Sequence, residues 1–213
     1  MNAARALRYE RDPDEIYRQS FAAIEREAAL ERVPADLRAA AIRMIHACGM
    51  PDIVADLLHS PGAGAAGRQA LAAGRPVFCD VEMVKAGILS SRLPAGNDVI
   101  CTLNDPRAAE RGRAGGITRS AAAVELWGAR LAGAVAVIGN APTALFRLLE
   151  LLDEGAPKPA LIVAMPVGFV GAAESKAELA ADPRGCEFLA LAGRRGGSAI
   201  AAAAINALGS RRQ

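Results

Sequence analysis

Two kinds of hydrophobic spacing divide the chain near Gly74. Before it, apolar positions recur every three to four residues, the period of a helix with one buried face. Pro13 opens a first such stretch, carrying Ile16, Phe21, Ile24 and Ala28. Pro34 opens a second, with Leu37, Ala41, Met44, Ile45 and Cys48, which stops at Gly49 ahead of Pro51. Arg43 and His46 lie three apart near its end, so their side chains project from the same side. A third, short helix is expected over Asp52 to Leu58.

After Gly74 the pattern changes to short apolar runs at 76–79, 99–102, 134–138, 160–164 and 187–191. Most are continuous rather than alternating, as in strands covered on both faces. The later ones are followed by a turn containing Gly or Pro and then an alanine-rich helical stretch. Such alternation builds a parallel sheet with right-handed crossovers. The expectation is a doubly wound α/β fold with a mainly parallel sheet of about five strands and extra N-terminal helices, one domain over residues 1–213. Its ligand belongs at the carboxyl ends of the strands, where the βα loops collect. Ala108 to Gly116, rich in Arg, Ala and Gly, is expected to be the least ordered part.

Composition narrows the function classes. The 52% hydrophobic fraction comes largely from alanine and only 4% of residues are aromatic, so the core must be built from small and branched aliphatics. The formal net charge is +2 and no basic run is interleaved with aromatics, so nucleic acid is not an expected partner. No apolar run approaches the ~18 residues of a membrane span. Met1 to Arg5 leads into a charged segment instead of the apolar core of a secretion signal. Cys48, Cys79, Cys101 and Cys186 form no C-x-x-C pair, which reads as free thiols in the cytoplasm, and no metal site is expected.

Histidine is scarce: only His46 and His59 are present. With an ordinary pKa near ~6.5 it is the side chain suited to proton transfer at neutrality, so such chemistry falls to one of these two unless both are merely structural. The loops are more distinctive. Gly139 to Leu145 ends a strand with a glycine turn and puts Pro142 at a helix entrance, either as an ordinary βα turn or as a seat of free amides for a carboxylate or phosphate. Met165 to Lys176 is unusually apolar for a loop, which suits a large hydrophobic ligand or a partner subunit. Gly196-Gly197-Ser198 opens the last helix and could cradle another anion, and Arg119 in Thr118-Arg119-Ser120 could clamp a carboxylate. Several anion sites around an apolar surface imply one large, polyanionic, partly apolar ligand. Asp80 and Glu82 read either as an acid–base pair or as strand-end caps. Gly62 to Gly67 matches G-x-G-x-x-G, the dinucleotide fingerprint, but follows what reads as the end of a helix, where the motif carries no such meaning.

Together these segments resemble the precorrin-8X methylmutase family of cobalamin biosynthesis. The likeness is carried in collinear order by Ile16–Phe21, Arg43–Gly49, Cys79–Val84, Arg92–Asn97, Thr118–Ala122, Gly139–Leu145, Ala156–Pro159, Pro166–Lys176 and Gly196–Ser198. It implies a flavodoxin-like fold, a homodimer holding a tetrapyrrole near the subunit interface, and no cofactor. The implied reaction is a 1,5-sigmatropic methyl shift between adjacent ring-C carbons of precorrin-8X, giving hydrogenobyrinic acid; members of the anaerobic branch act on the cobalt-containing counterpart. The family's catalytic histidine falls on His46, and its substrate-contacting serine and arginine on Ser20 and Arg43. The chemistry of a carboxylate-rimmed macrocycle adds Arg119, Asn140 and Thr143, with the amides of residues 139–143. One departure stands out: where relatives carry a Thr-Arg pair this chain has Leu89-Ser90, so no ligand contact is assigned there. The alternatives are a cobalt-precorrin-8 methylmutase, a corrinoid carrier with weak catalysis, and a dinucleotide-dependent oxidoreductase resting on Gly62 to Gly67.

Overall fold

A computed structural model describes residues 7–210, so the Met1–Arg5 segment lies outside the described residues. Two helices come first, α1 (Pro13–Glu27) and α2 (Arg38–Cys48). Then follow β1 (Leu57–His59), α3 (Ala63–Ala72), β2 (Val77–Cys79), α4 (Glu82–Gly87), β3 (Val99–Cys101), α5 (Pro106–Gly115) and α6 (Arg119–Glu125). The remainder is β4 (Val135–Ile138), α7 (Pro142–Asp153), β5 (Leu161–Ala164), α8 (Ala172–Ala181), β6 (Glu187–Leu191) and α9 (Ser198–Gly209).

The sheet has six strands in the order β1-β6-β5-β4-β2-β3. All neighbours are parallel except β1, which runs antiparallel to β6. Without β1, the parallel strands have the flavodoxin-like order, with its switch point between β2 and β4. The expected five parallel strands are all present. The sixth was hidden because Leu57–His59, expected to end a helix, is a three-residue edge strand after a 3-10 turn, Pro51–Asp56. Three residues are too few to display a strand period.

Ala108 to Gly116 also differs from expectation, being largely the helix α5. Asp105 caps it by accepting from the Arg107 amide at 2.9 Å, Pro106 occupies its first turn, and Gly116 ends it at φ 63°. Those three signals outweigh the glycine and arginine content between them. The second helix begins at Arg38 and not at Pro34, which instead starts a turn closed by the Leu37 amide.

Hydrophobic clusters fill both faces of the sheet. On one face α3, α4 and α9 pack, with α1 and α2 outside α9. On the other lie α6, α7 and α8, with Trp127 stacked on Phe78 at 5.2 Å. Asp52, just past α2, pairs with Arg195, just before α9, at 2.6 Å. The C-terminal end of α2, with His46, therefore lies at the carboxyl rim of the parallel strands. Gly139, at the exit of β4, is pressed against this layer: a Cβ there would overlap the Val84 side chain and come within 3.1 Å of Ser198 Cα and Ala201 Cβ. Gly139→Ala is expected to lose about 1–3 kcal/mol of stability. In a urea titration it should lower the midpoint and leave the slope unchanged.

Candidate active site

His46 is solvent-exposed and makes no hydrogen bond among the described residues. Its ring lies 5.2 Å from that of Phe21 and 6.0 Å from that of Tyr17, and these two stack at 4.2 Å. Arg43, one helical turn earlier, donates from Nη2 to the Tyr17 hydroxyl at 2.9 Å and sits 5.6 Å from the Phe21 ring centre. Its charge meets no carboxylate among the described residues, since a phenol and an aromatic face are its partners. Beside the group is a cavity of about 490 Å³ lined by Tyr17, Phe21, Glu25, Arg43 and Arg92. Ser20 belongs to the same stretch of α1, with its Oγ donating to the Ile16 carbonyl at 2.8 Å.

The spacing of α1 placed Ile16 and Phe21 on a buried face, but Ile16 is 45% exposed and Phe21 is only half-buried. The first half of α1 has no core to meet. Residues 17, 20 and 21 form an i, i+3, i+4 stripe facing α2. This is the signal by which Tyr17 and Phe21 could have been assigned to the site and not to the core.

Arg119, Asn140 and Thr143 form a second group. Thr118 caps α6, accepting from the Ala121 amide at 3.1 Å, and its hydroxyl shares a 2.8 Å hydrogen bond with that of Thr143 at the start of α7. Arg119 is exposed and lines a depression of about 540 Å³ with Arg113 and Ile117; neither arginine forms an ion pair among the described residues. The Asn140 side chain is exposed. Arg119 and Thr143 lie with α6 and α7, across the sheet from His46, and Asn140 lies on the loop that leads from β4 into α7, with both groups at the carboxyl rim. Within one chain the structure thus makes two clusters out of the six candidates.

The amides expected to bind substrate anions are not free. The Asp80 carboxylate, at the end of β2, accepts from Gly139 N at 2.8 Å, Asn140 N at 3.0 Å and Ala141 N at 2.8 Å. The seat for an anion exists, but the chain's own carboxylate occupies it. Asp80 is accordingly a cap and not a partner of Glu82 in proton transfer. Burial pushes its carboxyl above the ordinary aspartate range, against the three amides that favour the charged form.

The glycine motif at Gly62 to Gly67 does follow a strand and open a helix, contrary to the sequence reading. Even so it is no dinucleotide site. Glu187 accepts from the Gly62 amide at 3.0 Å and from the Ser60 hydroxyl, so a carboxylate lies where a phosphate would have to. A Cβ at Gly64 would strike Asp36, so that glycine serves helix packing. Because β1 is antiparallel, the loop also lies at the opposite end of the sheet from the other βα loops. His59, on β1, has Nδ1 at 3.2 Å from the Ser60 carbonyl.

Two rim loops are joined by Lys176. Fully buried, its ammonium donates to the Pro166 carbonyl at 3.0 Å and the Arg195 carbonyl at 2.6 Å. Arg195 in turn pairs with Asp52 and Asp56. Beyond this anchor the loop tip is apolar and open: Phe169 and Val170 are 83% and 88% exposed, and Arg194 lies 5.3 Å from the Phe169 ring centre. Among the described residues no cluster of three or more His, Cys, Asp or Glu could hold a metal, and no helix is long and apolar enough to cross a membrane.

Comparison with known proteins adds a family. The family model described as precorrin-8X methylmutase matches residues 15–211. A precorrin-8X methylmutase of Pseudomonas aeruginosa is 62% identical over 205 residues, covering 96% of this chain and 99% of that one. A cobalt-precorrin-8 methylmutase of Priestia megaterium is 34% identical, covering 92% of this chain and 87% of its own length. The crystal structure of a precorrin-8X methylmutase from Thermus thermophilus superposes with a TM-score of 0.82 at 35% identity, covering 92% of this chain and 94% of that one.

Burial holds the Lys176 ammonium down to about 8 from an ordinary 10.5, with Asp56 partly opposing the shift. The unfolded chain therefore binds the extra proton between those values, and this group makes stability rise with pH across about pH 8 to 10. Urea midpoints over that window should rise for the parent relative to Lys176→Met, in which the contribution is absent.

Proposed function

The chain belongs to the precorrin-8X methylmutase family, an isomerase of cobalamin biosynthesis, and from that premise we propose His46 as the acid of its methyl shift. The reaction moves a methyl group between adjacent ring-C carbons within one molecule, so it calls for no nucleophile and no net redox change. It calls for a proton placed on the conjugated system next to ring C, which lowers the barrier to migration and is then recovered. Such acid assistance is typically worth ~10²–10⁴-fold. The observation that carries the assignment is position. Of the two histidines only His46 stands at the carboxyl rim, exposed, against two aromatic rings and beside an arginine that has no carboxylate partner among the described residues. Tyr17 and Phe21 offer a flat wall for a tetrapyrrole, while Arg43 and Ser20 take polar substituents. Arg119, Asn140 and Thr143 bind further carboxylates through their side chains.

The two clusters lie on opposite faces of one chain's sheet, and His46 opens onto solvent. Both facts favour a homodimer in which a second copy closes the site. Ile16 and Tyr17 on α1 and the Phe169–Val170 tip offer apolar surface for that contact. Higher identity to a precorrin-8X enzyme than to a cobalt-precorrin-8 enzyme supports the cobalt-free substrate. Four free cysteines suit a reducing, cytoplasmic setting, and the single sheet covered on both faces supports one functional domain over residues 1–213.

Incubation with precorrin-8X should convert its absorption spectrum to that of hydrogenobyrinic acid over many turnovers without NAD(P)H; a stoichiometric change alone would mark a carrier. His46→Ala should keep tetrapyrrole binding and lose at least about 10²-fold in kcat, whereas His59→Ala keeps most activity. Full turnover by His46→Ala would sink the assignment.

A further inference from the structure

Asp80 is the only buried carboxylate among the described residues, 1% exposed, and no Lys or Arg lies within ion-pair distance of it there. A charge buried without a countercharge is costly unless hydrogen bonds meet it. Here three consecutive amides do so, at 2.8, 3.0 and 2.8 Å, where the β4–α7 loop turns into a 12-residue helix. Convergent N–H groups at a helix start make a seat for an anion. The seat lies at the switch point of the sheet, the crevice where doubly wound folds bind ligands. Packing fixes the loop from the other side, because Gly139 touches Val84 and the first turn of α9. The residues that follow, Asn140 and Thr143, present their side chains to solvent.

We propose that Asp80 is a positioning residue for the tetrapyrrole: its carboxylate fills the anion seat of the β4–α7 loop and so fixes where Asn140 and Thr143 meet the substrate. With the amides taken, substrate carboxylates are directed to side chains at the rim. The proposal rests on the reading that Asn140 and Thr143 contact substrate. It adds that their geometry is imposed by a group that never touches the ligand.

The seat can be emptied and refilled. In Asp80→Ala the KM for precorrin-8X should rise roughly tenfold, a loss of about one hydrogen-bonded charge contact, with a smaller effect on kcat. Added formate should enter the seat and return KM toward the parent value, while leaving the parent enzyme unaffected. Asp80→Asn, isosteric and unable to accept from all three amides, should also raise KM but gain nothing from formate. It carries the test if Asp80→Ala does not fold. An unchanged KM in the Asp80 variants overturns the proposal, as does formate that restores the melting temperature while KM stays high, which would mark a purely structural cap. Asn140→Ala and Thr143→Val separate the two layers. Unchanged KM in both overturns the substrate contacts on which the proposal stands, whereas raised KM there beside an unaltered Asp80→Ala overturns the role of Asp80 alone.

Discussion

The packing of α9 is the constraint on which the rest depends. Ile200, Ala201, Ala202, Ala204, Ile205 and Leu208 are all under 5% exposed, because the helix has the sheet on one side and α2 on the other. A helix apolar nearly all round is stable only when enclosed. Its run of alanines keeps it thin enough for neighbours to come close: a Cβ on Gly87 would be 2.8 Å from Ala202 Cβ. Asn206, a buried polar side chain on it, is held by the Leu89 amide and the Gly87 carbonyl at 2.8 and 2.9 Å. Helix α2 reaches the sheet chiefly through α9, so α9 sets where His46 and Arg43 stand.

Charge is divided between two tasks. Asp80, Lys176 and Glu187 hold loops by bonding backbone or hydroxyl groups, and the first two are buried. Among the described residues Arg43, Arg119 and His46 have no carboxylate partners at the rim. Asp80 and Glu187 occupy the amides of the glycine loops at Gly139 and Gly62. In the proposed reading a large anionic substrate is thereby left to side chains, whose reach suits a macrocycle better than a tight amide nest does. The apolar loop over Lys176 belongs to the same economy, since its base is pinned and its tip stays open.

The strands over 76–79, 99–102, 134–138, 160–164 and 187–191, the alternation that makes the sheet parallel, and the Arg43–His46 face were all legible in the sequence. They are local: continuous apolar runs and helical spacing record which faces are buried without reference to distant residues. Caps and turns are legible for the same reason, and in α5 the Asp105, Pro106 and Gly116 signals outweigh a glycine- and arginine-rich composition.

Tertiary structure alone decided what lies against what. That Asp80 fills the loop of Gly139 depends on pairing residues about sixty positions apart, and that Glu187 fills the Gly62 loop depends on an antiparallel edge strand of three residues. Neither leaves a period in the sequence. The separation of His46 from Arg119 and Thr143 onto opposite faces likewise depends on which side of the sheet each helix packs. The sequence determined which polar and titratable groups the chain carries; the fold determined which were already spoken for, because a hydrogen-bond donor is consumed by whatever acceptor the packing brings to it.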